Sequence, residues 1–375
     1  MDKAGTFWSI TLPLTPGYYE YKFIVDGLWG YAMNKPIAFD TNGNVNNKIT
    51  IKVMDVSYYA VYDGHAGSYA VDYVVENLHL NIQKALLYRW GQLEEYEDEE
   101  ETEEDDVVWA IRKGFKETEN RVISECRRRK DASGTCVCAA LLVNNSNLYI
   151  ANLGDCSAVV MQYRPETIRF TSSFVLSTVH RPKTEQQRIV DAGGWVNCEG
   201  YIIGEIACSR SLGDREFKFL EDLKAGGLFS RLEKPSTAGS RASSTVPIVS
   251  TVPIVASINT TLLACPPRLA IKEPSRPSFL PYQLVSPEPS IDLYSVALTQ
   301  GLMVIASDGL WDLVSPSKAM ALVDAAYARS KDLEEVVRVL IEESKRKGCL
   351  DDVTVLVFPL PASVKFTDCN KQQQH

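Results

Sequence analysis

The sequence predicts an α+β protein with a small all-β unit at its front. Three observations predict it. Residues 1–54 string short apolar and β-branched runs between Pro16-Gly17, Asp26-Gly27 and Asn42-Gly43, with no segment of helical period. Two later stretches keep an apolar stripe every 3.6 residues. Three consecutive strand-like runs over 136–162 follow, and two capped helical patterns close the chain.

In order along the chain, strands are expected over Phe7–Leu12, Tyr18–Val25 and Lys48–Val53, three or four short strands that make an incomplete sandwich alone. Ala70, Val71, Val74, Val75, Leu78, Ile82 and Leu86 lie on one face of a first helix. Val107, Val108, Ile111, Phe115, Val122 and Ile123 lie on one face of a second. Thr184 is the expected cap of a short helix that runs through Ala192 and ends at Gly193-Gly194. Ser315 as N-cap with Pro316 behind it opens another helix. Asp332–Lys347, with basic residues in the last turn and Gly348 after it, forms the last.

Two stretches read as insertions. Glu94–Asp106 holds eleven acids, so outside it the net charge of −9 becomes +2. It reads as a solvated loop between two helices, and no basic stripe suggests nucleic acid. Residues from about 220 to 290 are rich in serine and carry ten prolines between Pro235 and Pro289. They include the tandem Ser244–Val249 and Ser250–Val255, and they read as a low-complexity insert. Residues 361–375 read as a tail. Nine cysteines, odd in number and without a C-x-x-C pair, read as reduced thiols in a soluble intracellular, cytoplasmic protein, with plastid or nucleus as alternatives. No apolar run reaches the length of a membrane span.

Aspartates in short turns are the informative signal. They stand in Asp63-Gly64-His65, Gly154-Asp155, Asp308-Gly309-Leu310-Trp311-Asp312 and Asp351-Asp352-Val353-Thr354. Each turn abuts an apolar run: Tyr58–Tyr62, Leu148–Leu153, Leu302–Ala306 and Val353–Phe358. One such Asp-Gly is usually only a turn former. Several at strand ends can converge, and convergent carboxylates without a Cys/His cluster suit Mg²⁺ or Mn²⁺ and phosphate-ester chemistry.

Eight ordered segments carry a family resemblance over about 55–360. They are Val61–Gly67, Ser133-Gly134-Thr135, Ala151–Asp155, His180-Arg181-Pro182 with Glu185 and Arg188-Ile189, Gly193-Gly194, Ser209–Asp214, Ala306–Asp312 and Asp351–Thr354. Together they resemble the metal-dependent protein phosphatases of the 2C type. The resemblance implies a four-layer αββα sandwich of two antiparallel sheets flanked by helices. It implies a pair of Mg²⁺ or Mn²⁺ ions held by Asp63, the carbonyl of Gly64, Asp308 and Asp351, and a third ion at Asp155 and Asp312. It implies His65 as the acid that protonates the leaving alkoxide, and a phosphoserine or phosphothreonine protein as substrate. Asp214 is expected to brace a loop.

Residues 1–54, through Leu14, Pro16–Trp29 and Asn44–Asn47, resemble the glycogen-binding module of the kinase β-subunit type. That implies a partial immunoglobulin-like sandwich that binds glycogen or starch, with Trp29 stacking on a sugar face and Lys22 and Asn46 supplying polar contacts. Both resemblances lack their front. The module's upstream hairpin, with its second tryptophan, is unmatched, as are the arginine and acidic pair that precede the phosphatase's first Asp-Gly-His. Ser157, Val179 and Asp352 also stand where the family usually has Arg, Asp and Asn. The chain therefore reads as a fragment with lowered activity. A non-catalytic phosphatase-like scaffold and a phosphatase acting on glucan phosphate are the alternative readings.

Overall fold

The computed structural model describes residues 2–4, 7–9, 17–51, 55–90, 104–164, 167, 169–225, 227–228, 232, 268–269, 283–296 and 299–360. The chain divides into two units, Met1–Asp55 and Val56–His375. The acidic run from 94 to 103, the Ser244–Val255 tandem and the tail lie outside the described residues.

The first unit contains strands and no helix among its described residues: β1 (Asp2–Ala4), β2 (Phe7–Ser9), β3 (Gly17–Tyr21), β4 (Phe23–Val25), β5 (Leu28–Gly30), β6 (Ile37–Phe39) and β7 (Val45–Ile51). All pairings are antiparallel. β1 pairs β2, β4 pairs β5 around Asp26-Gly27, and β7 runs between β3 and β6. Asp26 (φ 51°) and Gly27 (φ 81°) are both left-handed, the geometry of a two-residue hairpin turn that twists with its strands. The sequence showed Tyr18–Val25 as one strand. The chain breaks it at Lys22 and folds the second half onto β5, a short strand that periodicity does not reveal.

The second unit opens with β8 (Val56–His65), α1 (Tyr69–Arg89) and α2 (Asp106–Arg129). β9 (Gly134–Val143), β10 (Asn147–Leu153), β11 (Ser157–Arg164) and β12 (Arg169–Val175) follow. Then come α3 (Gln186–Asp191), β13 (Leu212–Gly213) and α4 (Leu220–Ala225). β14 (Arg268–Leu269), β15 (Ser290–Ser295) and β16 (Gly301–Ala306) lead to α5 (Asp308–Trp311), α6 (Pro316–Ser330), α7 (Leu333–Arg346) and β17 (Val355–Leu360).

Two antiparallel sheets result. One runs β13-β9-β10-β15-β14, with β8 also paired along β9; the other runs β12-β11-β16-β17. Side-chain alternation sorts the core. Cys136, Cys138, Ala140 and Leu142 of β9 meet Met303 and Ile305 of β16 between the sheets. Leu302, Val304 and Ala306 face the other way and pack with Val323, Ala326, Val336 and Leu340 of α6 and α7. Helices α1 and α2 pack on β8, β9 and β13. This is the αββα sandwich. Both faces of β9 and β16 are covered, so β16 is apolar throughout and β9 is apolar from Cys136 onward.

Helix ends follow their chemistry. Ser315 caps α6 with Pro316 at N1, and the Asp332 carboxylate accepts from the Glu334 N–H. The short α3 has Glu185 at its N-cap position, one residue later than expected and without a side-chain capping bond. Thr184 instead closes a turn with Arg181.

The expected insert over about 220–290 is too wide at both ends. Residues 220–225 form α4, and Leu223, Leu284 and Val285 join Ile189, Ile202 and Ile203 in a small separate core. Proline content made the whole stretch look like a linker, yet these flanking leucines and the valine bury apolar area.

Gly114 of α2 lets α1 approach: a Cβ there would lie 2.8 Å from the Ile82 backbone nitrogen. Gly114→Ala must push two packed helices apart. It should lower unfolding free energy by roughly 1–3 kcal/mol despite alanine's higher helix propensity, read as an earlier denaturant midpoint. A later midpoint would contradict this packing.

Candidate active site

Antiparallel register brings the aspartates together. Ser157 of β11 lies beside Ala306 of β16, and Ala306 beside Val355 of β17. The turns that precede β11 and β17 and follow β16 therefore leave the sheet at one end, carrying Asp155, Asp351 and Asp308. On the other sheet, Asp63 of β8 faces Cys136 of β9, close to where β10 ends against Val137. Carboxylates from four sequence-distant turns thus share one rim.

Asp63, Asp155 and Asp308 form the core of the site, with carboxylate oxygens all within 4.8 Å of one another. Asp351 stands outside this trio but acts electrostatically on Asp63 and Asp308. Asp312 is held by the Arg181 guanidinium. The resemblance groups Asp351 with Asp63 and Asp308 and puts Asp155 at a further ion; the register brings Asp155 as well within 4.8 Å of Asp63 and Asp308.

The local backbone is built for this. Gly64 has no room for a side chain, since a Cβ would come 2.7 Å from Val71 Cγ1. Gly154 is left-handed at φ 106° and packs against Cys136, so only glycine turns the chain there without strain. His180 clamps the same turn: Gly154 N–H donates to Nδ1 (3.3 Å), the His180 N–H donates to the Gly154 carbonyl (2.9 Å), and Nε2 meets Ser290 Oγ (2.7 Å). Burial lowers the His180 pKa to about 3 and keeps it a neutral brace. The Ser307 hydroxyl donates to the Asp352 carbonyl (3.2 Å) and accepts from the Thr354 N–H (3.1 Å), tying the Asp308 turn to the Asp351 turn.

The electrostatics are those of crowded anions. Burial, then the charges of Asp155 and Asp351, raise Asp63 to about 7. Burial, then Asp155, Asp63, Asp351 and Asp312, raise Asp308 to about 8. Asp155 is raised by burial, against the pull of Arg181 and His65. Asp308 Oδ1 is buried with no hydrogen-bond partner. A buried orphan oxygen beside two further carboxylates is a donor set waiting for a hard cation. The residues present fit a divalent ion.

His65 follows Asp63 by two residues. Its Nε2 lies 2.7 Å from Asp214 Oδ2. Burial would lower its pKa, but the Asp214 charge and hydrogen bond outweigh that and raise it to about 10. Asp214 is held low, for although burial opposes ionisation, His65, Ser211 and Lys218 favour it more. His65 is thus an imidazolium at neutral pH. Arg181 had no role assigned from the sequence, and Asp214, expected to brace a loop, also bonds His65. Their motifs were visible, but their partners lie 131 and 149 residues away.

The protein phosphatase 2C profile matches residues 41–353. The chain belongs to the protein phosphatase 2C family. A second profile, the glycogen recognition site of AMP-activated protein kinase, matches residues 1–57. A rice protein named probable protein phosphatase 2C 27 is 26% identical over 305 residues, covering 80% of this chain and 64% of its own length. Rat protein phosphatase 1B is 26% identical over 318 residues, covering 84% and 65%. A protein phosphatase 2C homolog 2 from Hypocrea jecorina is 23% identical over 313 residues, covering 81% and 53%. The chain thus spans between 53% and 65% of these relatives' lengths. Among solved structures, a C. elegans sex determining protein superposes with TM-score 0.52 at 16% identity, over 94% of this chain and 65% of its own. A Toxoplasma gondii serine-threonine phosphatase 2C superposes with TM-score 0.50 at 16% identity, over 93% and 98%. These likenesses establish the fold. Metal dependence is general in the protein phosphatase 2C family.

In the first unit Trp29 stands on β5 with 70% of its surface exposed, next to exposed Leu28. Asn46 of β7 donates to Glu20 (2.5 Å), and Lys22 lies between β3 and β4, where its charge lowers the Asp40 pKa after the hydrogen bonds from Asn44. Trp29 belongs to the β4–β5 hairpin, Asn46 to the three-stranded sheet, and Lys22 to the break between β3 and β4. Among the described residues no helix is long and apolar enough to cross a membrane.

The raised carboxyls set a pH dependence for the metal-free protein. Folded Asp63 and Asp308 keep protons, up to about pH 7 and 8, that the unfolded chain releases near 3.8. The folded state binds more protons across that window, so stability falls as pH rises through it. In EDTA the thermal midpoint should drop between about pH 5 and pH 8, and Asp308→Asn should remove much of the drop. A midpoint that rises over this range would contradict the crowding.

Proposed function

We propose that this chain carries the catalytic fold of a Mg²⁺- or Mn²⁺-dependent phosphatase that hydrolyses phosphoserine and phosphothreonine in proteins and is brought to glycogen or starch by its first unit. The observation that carries the reading is the trio Asp63, Asp155 and Asp308 with its unpartnered Asp308 Oδ1. These carboxylates would hold the metal, together with the Gly64 carbonyl and with Asp351 and Asp312 at the rim. The bound ions supply Lewis acidity, offsetting charge on the phosphoryl oxygens and acidifying water. Oxygen-only donors favour Mg²⁺ or Mn²⁺ over softer ions.

The chain's own residues do the rest. His65, protonated at neutral pH, donates to the oxygen that leaves phosphorus. Arg181, beside the cluster, offsets part of its negative charge. The site lies at the ends of two sheets, where a phosphorylated side chain of a protein substrate would approach the carboxylates. A reducing, cytoplasmic setting agrees with the seven free cysteines among the described residues.

A second reading, a phosphatase-like scaffold of low turnover, is favoured by one observation. The arginine and acidic pair that precede the first Asp-Gly-His in the family are not matched in this sequence. An arginine clamps phosphate with a planar fork that lysine cannot copy.

Hydrolysis of a phosphothreonine peptide should require Mn²⁺ or Mg²⁺. Asp308→Ala should lower it by at least about 100-fold and weaken ion binding in the same protein. Turnover that persists in excess EDTA would contradict the metal reading, and metal binding without turnover would favour the scaffold.

Trp29 should serve glucan binding alone. One stacked ring contributes on the order of 1 kcal/mol beyond its buried area. Trp29→Ala should therefore reduce sedimentation with insoluble starch several-fold while phosphopeptide turnover stays the same. Equal sedimentation of two folded proteins would remove glucan targeting from the account.

A further inference from the structure

Two thiols sit side by side in the core between the sheets. Cys136 of β9 and Cys208 are 72 positions apart in sequence, yet their sulfurs lie 3.3 Å from each other. The Cys208 thiol donates to the Arg210 carbonyl at 2.9 Å, and Cys136 lies 3.8 Å from the same oxygen. Both cysteines are free. A disulfide needs an S–S separation of about 2.0 Å, so the sulfurs must close by only roughly 1.3 Å.

Their place ties such a bond to the carboxylate rim. Cys136 is the register partner of Asp63 across β8 and β9. Its sulfur packs on Gly154, where a Cβ would collide with it, and it stands near the Asp155 carboxylate. Cys208 leads into Ser209–Asp214, whose Arg210 guanidinium pairs with Glu185. The Gly154 turn is held by the Cys136 sulfur on one side. On the other, its N–H donates to His180 Nδ1 (3.3 Å), and its carbonyl accepts from the His180 N–H (2.9 Å) and Asn152 Nδ2 (3.1 Å).

We propose that Cys136 and Cys208 form a peroxide-sensitive dithiol, whose closure to a disulfide draws the Cys136 sulfur off Gly154 and loosens the turn that carries Asp155. The oxidant is a small hydroperoxide such as hydrogen peroxide. Cys208 is the more exposed of the pair, 8% against 4%, and reacts first. Its sulfur bonds to one peroxide oxygen, the O–O bond breaks, and the thiol proton leaves with the other oxygen as water. Cys208 is then a sulfenic acid. The Cys136 sulfur bonds to the Cys208 sulfur, the S–O bond breaks, and the hydroxyl leaves with the Cys136 proton as a second water. Two thiols are oxidised, and one peroxide is reduced to two waters. Burial slows the first attack. The second joins groups already in contact, which favours it over further oxidation of the sulfenic acid. A dithiol reductant reverses the bond by exchange. The bond and the loosened turn need no metal; only their effect on turnover rests on the phosphatase reading above.

The test uses the full chain treated with hydrogen peroxide in EDTA. Peptide mapping by mass spectrometry should find Cys136 linked to Cys208. Hydrogen exchange at Gly154 and His180, whose amides hold the turn, should quicken about ten-fold. Dithiothreitol should reverse both changes. Cys208→Ala, and Cys208→Val as a variant of closer volume, should keep the exchange of the reduced wild type after the same treatment. After peroxide is removed and Mn²⁺ added, turnover of a phosphothreonine peptide should be at least about ten-fold lower in the oxidised wild type than in the reduced form, and unchanged by the treatment in a folded Cys208 variant. The proposal is overturned by a wild type that forms no disulfide or links other cysteines, by exchange that stays the same on oxidation, or by exchange that quickens equally in the Cys208 variants. Equal turnover by reduced and oxidised wild type would overturn it too. If the reduced protein shows no Mn²⁺-dependent turnover, the phosphatase reading falls, and the disulfide and exchange results still decide the dithiol.

Discussion

Like charges held closer than they would choose are the constraint on which the rest depends. Asp63, Asp155 and Asp308 bring their oxygens within 4.8 Å because two antiparallel sheets end at a common rim. Free in solution these groups would separate. Here a covered β16, glycines at 64, 154 and 309, and the Ser307 bridge to the Asp351 turn leave them no freedom. Burial first, and then one another's charges, raise the Asp63 and Asp308 carboxyls. On the proposed reading, a divalent cation bound there would offset the repulsion and satisfy Asp308 Oδ1 in one event.

Around this centre the remaining polar groups sort by charge. Arg181 and His65 lie next to the anions and pull Asp155 back toward ionisation. His180 is kept neutral and serves only to clamp the Gly154 turn. The Arg210–Glu185–Arg188 cluster ties α3 to the Ser209 carbonyl and the Gln283 and Leu284 carbonyls, and so joins the small Ile189/Ile202/Leu284 core to the sandwich. The site is therefore supported from two cores, one between the sheets and one beside it.

Much of this was legible in the sequence, and the rest has physical reasons for being hidden. The αββα sandwich followed from the resemblance carried by eight ordered segments, whereas the α6 and α7 caps and the Asp-Gly turns could be read because their signals are local: an apolar run ending in Asp-Gly, or Ser315-Pro316 before a helical stripe. Membership of Asp155 in the trio could not, because it depends on which residue of β11 lies beside Ala306, a matter of strand register. The His65–Asp214 and Arg181–Asp312 pairs join residues more than a hundred positions apart, and neither motif names its partner. β13 and β14, two residues each, are too short to show a period. The edges of the proline-rich stretch were misread because proline frequency outvoted Leu223, Leu284 and Val285, whose burial needs a surface that only the folded chain supplies.

The central claim is that these carboxylates exist as a cation site. Mn²⁺ anomalous scattering from crystals of the full chain tests it most directly. The account predicts a peak within about 2.2 Å of carboxylate oxygens from Asp63 or Asp308, a distance typical of hard divalent ions with oxygen donors, and loss of that peak in Asp308→Asn. Crystals grown in millimolar Mn²⁺ that show the three carboxylates together, with no anomalous density between them, would contradict it.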